Sequence, residues 1–304
     1  MPMTLLEAAK TGTGDVTRDT LIEQFARSGE VLGRLPLRDI GGNSYTYNLE
    51  DTLPGVGFRG VNEAYTESVG VVNPITERLR IAGGDLDVDK FIVDTEGAVI
   101  RAQRELMKIK ALALSIERTM IKGDGLVTVR EFDGFQARVT GNQLINAGAT
   151  AGGDPLSIAV LDQLIDQVDD PTYLIMNKAM RRRLRQFSDT IIDKTIDEFG
   201  IQVERYAGLP LLVVDRDETQ ADIMAFDEAP SGGGASVSTS IYCASFGDGM
   251  VEGMQNGNID ARDLGELDTA PVFRTRVDWY VGLLVQHGRS LARVRGITNA
   301  AITA

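Results

Sequence analysis

The 304-residue chain has one cysteine and one histidine, and this scarcity limits the chemistry that it can perform. Cys243 has no second cysteine with which to form an intrachain disulfide, which fits a cytoplasmic origin. A zinc site needs three or four matched ligands, and these two residues stand 44 positions apart. Ser–His–Asp and Cys–His catalysis are disfavoured for the same reason. We therefore expect no metal site, no catalytic group and no cofactor, with Cys243 and His287 in structural roles.

Positive charge and long apolar runs are also scarce. The formal net charge is -13, which disfavours a general phosphate-binding surface of clustered lysine and arginine. No apolar run approaches the roughly 20 residues of a membrane-spanning helix, and residues 1–10 lack the pattern of a secretory signal. The phosphate-binding glycine motifs and the G-x-S-x-G nucleophile motif do not occur. We expect a protein that contacts no membrane and recognises no nucleic-acid sequence.

Residues 44–72, SYTYNLEDTLPGVGFRGVNEAYTESVGVV, have the pattern of a β-hairpin. In the first arm Tyr45, Tyr47 and Leu49 alternate with polar residues, which is typical of a strand with one drier face. The second arm, around Tyr65, alternates less regularly, and a Leu-Pro-Gly-Val-Gly turn separates the two. An isolated hairpin is marginally stable in water, and this one carries few large apolar side chains. It therefore needs another surface to lie against.

A long helix is predicted over residues 95–122, with Asp94 or Thr95 as its N-cap and Gly123 in a left-handed conformation at its end. At about 1.5 Å per residue it would be roughly 40 Å long. Its apolar positions follow a three-four spacing: Val99, Ala102, Leu106, Ile109, Ala113, Ile116 and Met120. A stripe of this length predicts packing along a sheet. A coiled coil is the alternative, although the flanking charges form no pairing ladder.

Two charged clusters have a functional and a structural interpretation. Asp85, Asp87, Asp89 and Glu96 fall on positions one, three, five and twelve of a calcium loop, but Lys90 stands where that loop requires glycine. Alternation with apolar residues favours a strand instead. The basic run RRRLR contributes Arg181, Arg182, Arg183 and Arg185. On an acidic protein, we expect it to pair with carboxylates of a neighbour rather than with nucleic acid.

The rest of the chain predicts an α/β layer between two less regular regions. Residues 1–36 contain a short amphipathic segment that Thr17 can cap, and the sequence after residue 123 predicts short strands separated by glycines. From residue 155 a helix, a buried strand TYLIMN, the helix KAMRRRLRQF and the apolar strand LPLLVVD follow one another. The longest strand-type run extends from Phe273 to Val285.

The order and proportion of these parts resemble the major capsid protein of tailed double-stranded DNA bacteriophages, whose fold is shared with encapsulins. The phrases that carry the resemblance are NKAMRRRLRQF, YAGLPLLVVD, FGDGMVEGMQ and RTRVDWYVGLLVQHGRSLARVRGI. The implied fold is α+β, with an N-terminal arm, an extended β-hairpin loop, a long spine helix, a peripheral domain and an axial domain. The implied divisions are an arm at 1–36, the hairpin loop at 37–81, the peripheral domain at 82–154 with its spine helix at 95–122, the axial domain at 155–246, and a return to the peripheral domain at 247–304.

The resemblance implies a non-enzymatic subunit that assembles with itself, as hexamers and pentamers, into an icosahedral shell around double-stranded DNA. The implied location is the virion capsid, assembled in the host bacterial cytoplasm. The implied partners are a portal protein, a separate scaffolding protein because the chain starts only a short arm ahead of the hairpin, and in some cases a decoration protein. We expect Gly41-Gly42, Gly83-Gly84 and Gly123 to act as hinges. Residues 37–81 contain no lysine, so the covalent hairpin cross-link of some family members is not expected.

The resemblance also answers the question that the hairpin raises, because it implies that the hairpin lies across the adjacent subunit. The expected intersubunit contacts are Tyr45, Tyr47, Tyr65, Arg59, Arg181 and Arg182. Two alternatives remain. One is an encapsulin compartment with a cargo-docking groove. The other is a soluble enzyme with an α/β catalytic domain at 155–246, for which the sequence offers no nucleophile or metal-ligand set.

Overall fold

A computed structural model describes residues 29–52, 54–187, 192–196 and 202–303. Within these residues the chain forms fourteen β-strands and five α-helices. The amphipathic segment predicted near Thr17 and Leu53 of the hairpin turn lie outside the described residues.

The predicted hairpin is present and its first strand lies where the pattern places it, but its second strand begins later in the chain than the sequence pattern indicates. After a short strand β1 (Leu37–Asp39), strand β2 (Ser44–Thr52) pairs antiparallel with β3 (Val71–Arg78), and Tyr47 lies opposite Ile75. Residues 54–70 form no strand, so the prediction of a second extended arm around Tyr65 is wrong. Repeated glycines and Pro54 disfavour strand pairing there, and the β-branched residues Val71 and Val72 restart the ladder.

One layer of the fold is a mixed sheet of five strands, which we call the peripheral sheet. Its strands are β1, β4 (Arg80–Asp89), β11 (Val251–Gln255), β12 (Asp260–Glu266) and β13 (Val272–Val285). The long β13 pairs with β4 on one side and with β12 and β11 on the other. Strand β4 continues through Gly83 and Gly84, so they are no hinge. A Cβ on Gly83 would lie 2.2 Å from the Val277 carbonyl oxygen, and this close approach of two backbones requires glycine.

The predicted long helix is divided into two. Helix α1 (Lys90–Glu96) is capped by Asp89, whose carboxylate accepts from the Phe91 amide at 2.8 Å. Gly97, with φ of 86°, interrupts the helix, and helix α2 (Ala98–Lys122) follows. The expected caps Asp94 and Thr95 therefore lie inside α1. Gly123 ends α2 in an extended conformation rather than a left-handed one. It must be glycine because a Cβ would meet the Thr119 and Phe132 carbonyl oxygens at 2.4 Å.

Helix α2 buries only the C-terminal part of its apolar stripe within the chain. Ile109, Ala113 and Met120 are buried, in agreement with the predicted packing. Leu106 is 38% exposed and Met107 is 70% exposed, so the prediction that Leu106 is buried against the peripheral sheet is wrong. Leu106 and Met107 in the N-terminal half of the helix are therefore apolar side chains that the described part of the chain leaves exposed.

The other layer is a sheet of seven strands, which we call the axial sheet. In spatial order its strands are β5 (Leu144–Asn146), β14 (Leu291–Ile297), β10 (Thr239–Ala244), β6 (Tyr173–Asn177), β9 (Leu209–Val214), β8 (Gln202–Tyr206) and β7 (Ile192–Ile196). The short helix α3 (Phe135–Arg138) precedes this sheet where short strands are predicted, and α4 (Ile158–Asp166) and α5 (Lys178–Phe187) follow. Strands β5 and β14 lie here although the expected divisions assign both to the peripheral domain. The C-terminal part of the chain therefore contributes to both sheets, with β11, β12 and β13 in the first and β14 in the second.

Three apolar clusters hold these layers together. The largest joins α2 to both sheets and includes Trp279, Tyr242 and Phe135. The second packs α4 and α5 on the opposite face of the axial sheet and includes Leu161 and Leu184. The third is small and lies at the base of the hairpin. The core thus lies away from the hairpin's distal end.

Candidate functional site

The base of the hairpin is fixed to the subunit by a small apolar cluster. Tyr47 is 8% exposed, and its hydroxyl donates to the Val285 carbonyl oxygen at 2.9 Å. Burial raises the pKa of this hydroxyl. Tyr45 stacks on Tyr47 with ring centroids 6.4 Å apart, and Met254 and Leu284 complete the contact. The subunit therefore buries Tyr47 itself, contrary to our expectation that its ring needs a neighbouring subunit.

Arg38 ties this base to β11 and to the loop before it. Its guanidinium donates to the buried Glu252 carboxylate, with Nε 2.8 Å from Oε2, and to the Tyr45 hydroxyl at 3.1 Å. It also pairs with Asp248. Burial raises the pKa of Glu252, while the Arg38 contact opposes that shift. A buried carboxylate with a charged partner and a backbone donor, Gly249 N at 2.6 Å, is a stable anchor.

The distal end of the hairpin has the opposite character. Five apolar or aromatic side chains there are between 69% and 109% exposed: Val56, Phe58, Val61, Tyr65 and Val69. Arg59 lies over the Tyr65 ring at 5.2 Å, within this same segment. Contiguous exposed apolar groups of this kind mark interaction surfaces. Residues 54–70, which we call the hairpin tip, are thus an apolar surface without a partner among the described residues.

Charge distinguishes the hairpin from helix α2. Residues 44–72 contain four acidic side chains and one arginine, a net charge of -3. Helix α2 contains six basic and two acidic side chains, a net charge of +4 in a chain whose total is -13. The exposed part of α2 combines Met107 and Leu106 with Lys110, and Phe91 of α1 is 72% exposed. The hairpin and this helix face are complementary in charge, and both are partly apolar.

A second apolar loop follows α2. Leu126, Val127 and Val129 are exposed to 93%, 82% and 72%. Asp124 holds the loop by accepting from the Leu126 amide at 2.8 Å, and Asp133 accepts from the Gly125 amide at 2.8 Å. The sequence pattern predicts neither this loop nor Val56, Phe58, Val61 and Val69 of the hairpin tip as contact residues, whereas it does single out Tyr65. The available signal was the run of aliphatic residues beside glycine in a segment too short to form a core.

The basic run on α5 is divided between two roles. Arg181 and Arg185 both pair with Glu204 of β8, and Arg183 donates to Asn299 at 3.1 Å. Arg182 instead points into a cleft of about 720 Å³ between α2 and α5, which Lys110 also lines. Among the described residues it makes no ion pair. The structure therefore brings Arg181 and Arg182 to different surroundings, although both were expected at an intersubunit contact.

The acidic run of β4 stabilises the peripheral sheet. Arg276 binds Asp85 through two hydrogen bonds of 2.7 and 2.8 Å, and Arg274 binds Asp87 through two of 2.6 Å. These bonds hold the pKa of both carboxyls below the usual value. Asp89 caps α1. The alternation that favours a strand over a calcium loop is confirmed, and the described residues contain no cluster of three metal-ligating side chains.

Cys243 and His287 occupy separate environments. Cys243 is buried in β10, where desolvation raises the pKa of its thiol to about 12. His287 is half-exposed, and its Nδ1 accepts from the Arg289 amide at 3.2 Å. No helix in the described part of the chain is both long and apolar enough to cross a membrane.

Comparison with known proteins shows the fold. A scan against protein-family models and a search of curated proteins find no match. Solved structures do match. The SrpI encapsulin of Synechococcus elongatus PCC 7942 is similar with 18% sequence identity and a TM-score of 0.63, over 90% of this chain and 89% of that chain. The chain has the fold of capsid and encapsulin shell proteins.

Two further structures with this shell-protein fold come from particles of different biology. The capsid of a native GTA particle matches with 16% identity and a TM-score of 0.64, over 89% of this chain and 91% of that chain. A structure from Microbacterium phage Oxtober96 matches with 12% identity and a TM-score of 0.62, over 89% of this chain and 90% of that chain. The α+β fold expected from the resemblance is confirmed. We call α2 the spine helix from here on, after the helix that the resemblance implies at 95–122.

Proposed function

We propose that this chain is the structural subunit of an icosahedral shell that encloses the double-stranded DNA of a tailed bacteriophage. The observation that supports this most strongly is the hairpin, whose base is fixed to the subunit and whose tip leaves five apolar side chains exposed. A monomeric protein gains nothing from such a surface, whereas a subunit with neighbours buries it. The shell-protein fold, shared over about nine-tenths of the chain, gives that hairpin a context.

The surface that receives the tip is proposed to be the spine helix of a neighbouring subunit. The acidic hairpin and the basic helix attract one another, and the apolar tip would cover Leu106 and Met107. Tyr65, Arg59 and the exposed part of Tyr45 belong to this proposed contact. Tyr47 orients the hairpin from its base. Arg182, and with it Arg181, would contribute a second contact from the axial layer.

The proposed assembly consists of hexamers and pentamers of this chain on an icosahedral lattice. Its proposed partners are a portal protein, a scaffolding protein and in some cases a decoration protein, with assembly in the host cytoplasm before DNA enters. The net charge of -13 fits a container that encloses DNA without binding it in a sequence-specific way. We propose no enzymatic activity, because the shifted pKa values of Asp85 and Cys243 have structural causes, an ion pair with Arg276 and burial in β10.

An encapsulin-type compartment is the second candidate, favoured by the likeness to the SrpI encapsulin. Expression of the chain alone in a bacterium, followed by size-exclusion chromatography and negative-stain microscopy, tests both. Closed particles, or capsomers that close when a scaffolding protein is added, support the shell. A chain that stays monomeric under both conditions contradicts it. A protein cargo co-purifying inside uniform particles would favour the compartment over the phage head.

A further inference from the structure

Four acidic side chains are buried in the described residues, and three of them have a cationic partner. Glu228 pairs with Arg293 at 2.7 Å, Glu252 with Arg38 at 2.8 Å, and Asp217 with Arg118 at 3.9 Å. The four buried acidic residues are Glu117, Asp217, Glu228 and Glu252. Glu117, on the spine helix, is the exception, because no lysine or arginine of the described residues pairs with it. Burial of a carboxylate without a cation is unfavourable in its ionised form.

Glu117 instead holds the segment that leads into β1. Its Oε1 accepts from the Val31 amide at 2.9 Å, and the Glu30 amide also faces the carboxyl group. Residues 29–35 form a tight turn in which the Leu35 amide donates to the Val31 carbonyl oxygen at 3.0 Å. Gly29 approaches so closely that a Cβ there would lie 3.0 Å from Oε2 of Glu117. The turn and the carboxyl group are therefore in direct contact.

The charges that surround Glu117 disfavour its ionised form. Desolvation is the largest cause that raises the pKa of Glu117, and the charges of Glu30 in the turn and of Asp215, directly after β9, raise it further. The Val31 and Glu30 amides lower it, and the value is about 7. The cations on these elements are directed elsewhere. Arg34 pairs with Glu30, and Lys178 pairs with Asp215. Arg118, next to Glu117 on the helix, is 3.9 Å from Glu131 and from Asp217.

We propose that Glu117 is a proton-controlled latch, which holds residues 29–35 against the spine helix when its carboxyl group is protonated and weakens that hold when it is ionised. The neutral acid still accepts the Val31 hydrogen bond through its carbonyl oxygen, so protonation removes the buried charge without removing the contact. Ionisation leaves a negative charge beside Glu30 and Asp215. Opening the turn exposes this charge to water, and opening is therefore favoured as the pH rises.

The turn is also an apolar anchor. Val31, Leu32 and Leu35 are all fully buried, and they belong to the same core cluster as Ile116 and Met120 of the spine helix. Opening therefore stays a minor state at every pH, and the proton changes how often it occurs. The latch concerns the attachment of the N-terminal part of the chain to the spine helix, and it does not depend on the proposed shell function.

Hydrogen–deuterium exchange of the purified protein at pH 6 and pH 8 tests the latch, with each rate divided by the intrinsic rate at that pH. An ordinary pKa of 4.5 in the opened turn and about 7 in the closed turn predicts that the protection of the Val31 and Leu35 amides falls about tenfold between these pH values. In Glu117→Gln the protection should not change with pH. Glu252→Gln, a buried carboxylate that has a cationic partner, is the matched control and should keep the wild-type fall.

Constant protection in the wild-type protein between pH 6 and pH 8 would overturn the proposal, as would an equal fall in Glu117→Gln. Amides of β10 serve as the internal reference in the wild-type series. If Glu117→Gln fails to fold, the wild-type measurements alone still test the latch, because a latch requires the amides of the turn to lose protection with rising pH while those of β10 do not. A parallel loss in both regions would mean global destabilisation and would also refute the latch.

Discussion

The guanidinium of Arg138 donates to the carboxylate of Glu77, with 2.6 Å between Nη1 and Oε1, and so joins the hairpin to the body of the subunit. The same guanidinium donates to the Leu283 carbonyl oxygen of β13 at 3.1 Å and to the Asp133 carbonyl oxygen at 2.8 Å. Three separate segments thus meet at one side chain. The contacts of Arg138 and Tyr47 therefore hold the hairpin in its direction. Both contacts lie on the hairpin side of Gly41 and Gly42, the expected hinge.

Removal of the Arg138 guanidinium should loosen this junction. The side chains of Arg138 and Glu77 are only 12% and 19% exposed, so Arg138→Gln leaves a largely buried carboxylate and two carbonyl oxygens without their charged donor. We expect a loss of about 2 kcal/mol in the free energy of unfolding, measured by urea titration. Arg262→Gln is the control, because Arg262 is 57% exposed in its two pairs, with Asp260 and with Asp278, and the expected loss is below about 1 kcal/mol. Equal losses in the two variants would mean that the junction contributes nothing specific.

Two neighbouring positions on the spine helix should respond in opposite ways to aspartate. Ile109 is 1% exposed, so Ile109→Asp buries an unpaired carboxylate and should abolish soluble subunits. Met107 is 70% exposed, so Met107→Asp should change the free energy of unfolding by no more than about 0.5 kcal/mol. Soluble yield and thermal unfolding by circular dichroism measure both. A soluble, cooperatively folded Ile109→Asp would show that the helix is wrongly placed.

The sequence predicted the helix and its C-terminal packing well, because periodic apolar residues report which face is buried. It did not predict the break at Gly97 or the exposure of Leu106, since periodicity cannot tell whether a stripe is buried in its own subunit or left for another. Gly83 and Gly84 suggested a hinge for a similar reason. The sequence alone does not distinguish a glycine required by close backbone packing from a glycine required for flexibility.

Arg182 provides a test of the basic run. It is exposed and unpaired within the described residues, so Arg182→Glu should leave the thermal midpoint unchanged. If Arg182 contacts a neighbouring subunit, the variant should form fewer capsomers on size-exclusion chromatography. Arg185→Glu is the contrasting variant, because it places a like charge against the largely buried Glu204 and should lower the free energy of unfolding by about 2 kcal/mol. Normal capsomers from Arg182→Glu would remove this residue from the interface.

The candidate site was only partly predictable. Tyr45 and Tyr47 were recognised as a drier face of a strand, but the small cluster that buries Tyr47 is built from Met254 and Leu284, more than 200 positions away. Pairings over such distances follow from the tertiary fold and leave no local signal. The exposed Phe58 was overlooked, because a lone aromatic among glycines in a loop has no periodicity to report its surroundings.

Phe58 gives the most direct test of the claim that the hairpin tip closes a shell. The side chain is fully exposed in the subunit, so Phe58→Asp should not alter thermal unfolding of the subunit. If a neighbour buries the ring, the substitution removes about 2 kcal/mol per contact, repeated in every copy. Electron microscopy of particles assembled from wild type, Phe58→Tyr and Phe58→Asp is the decisive measurement. We predict closed shells from the first two and only open fragments or capsomers from Phe58→Asp; closed shells of normal size and yield from Phe58→Asp would contradict the account.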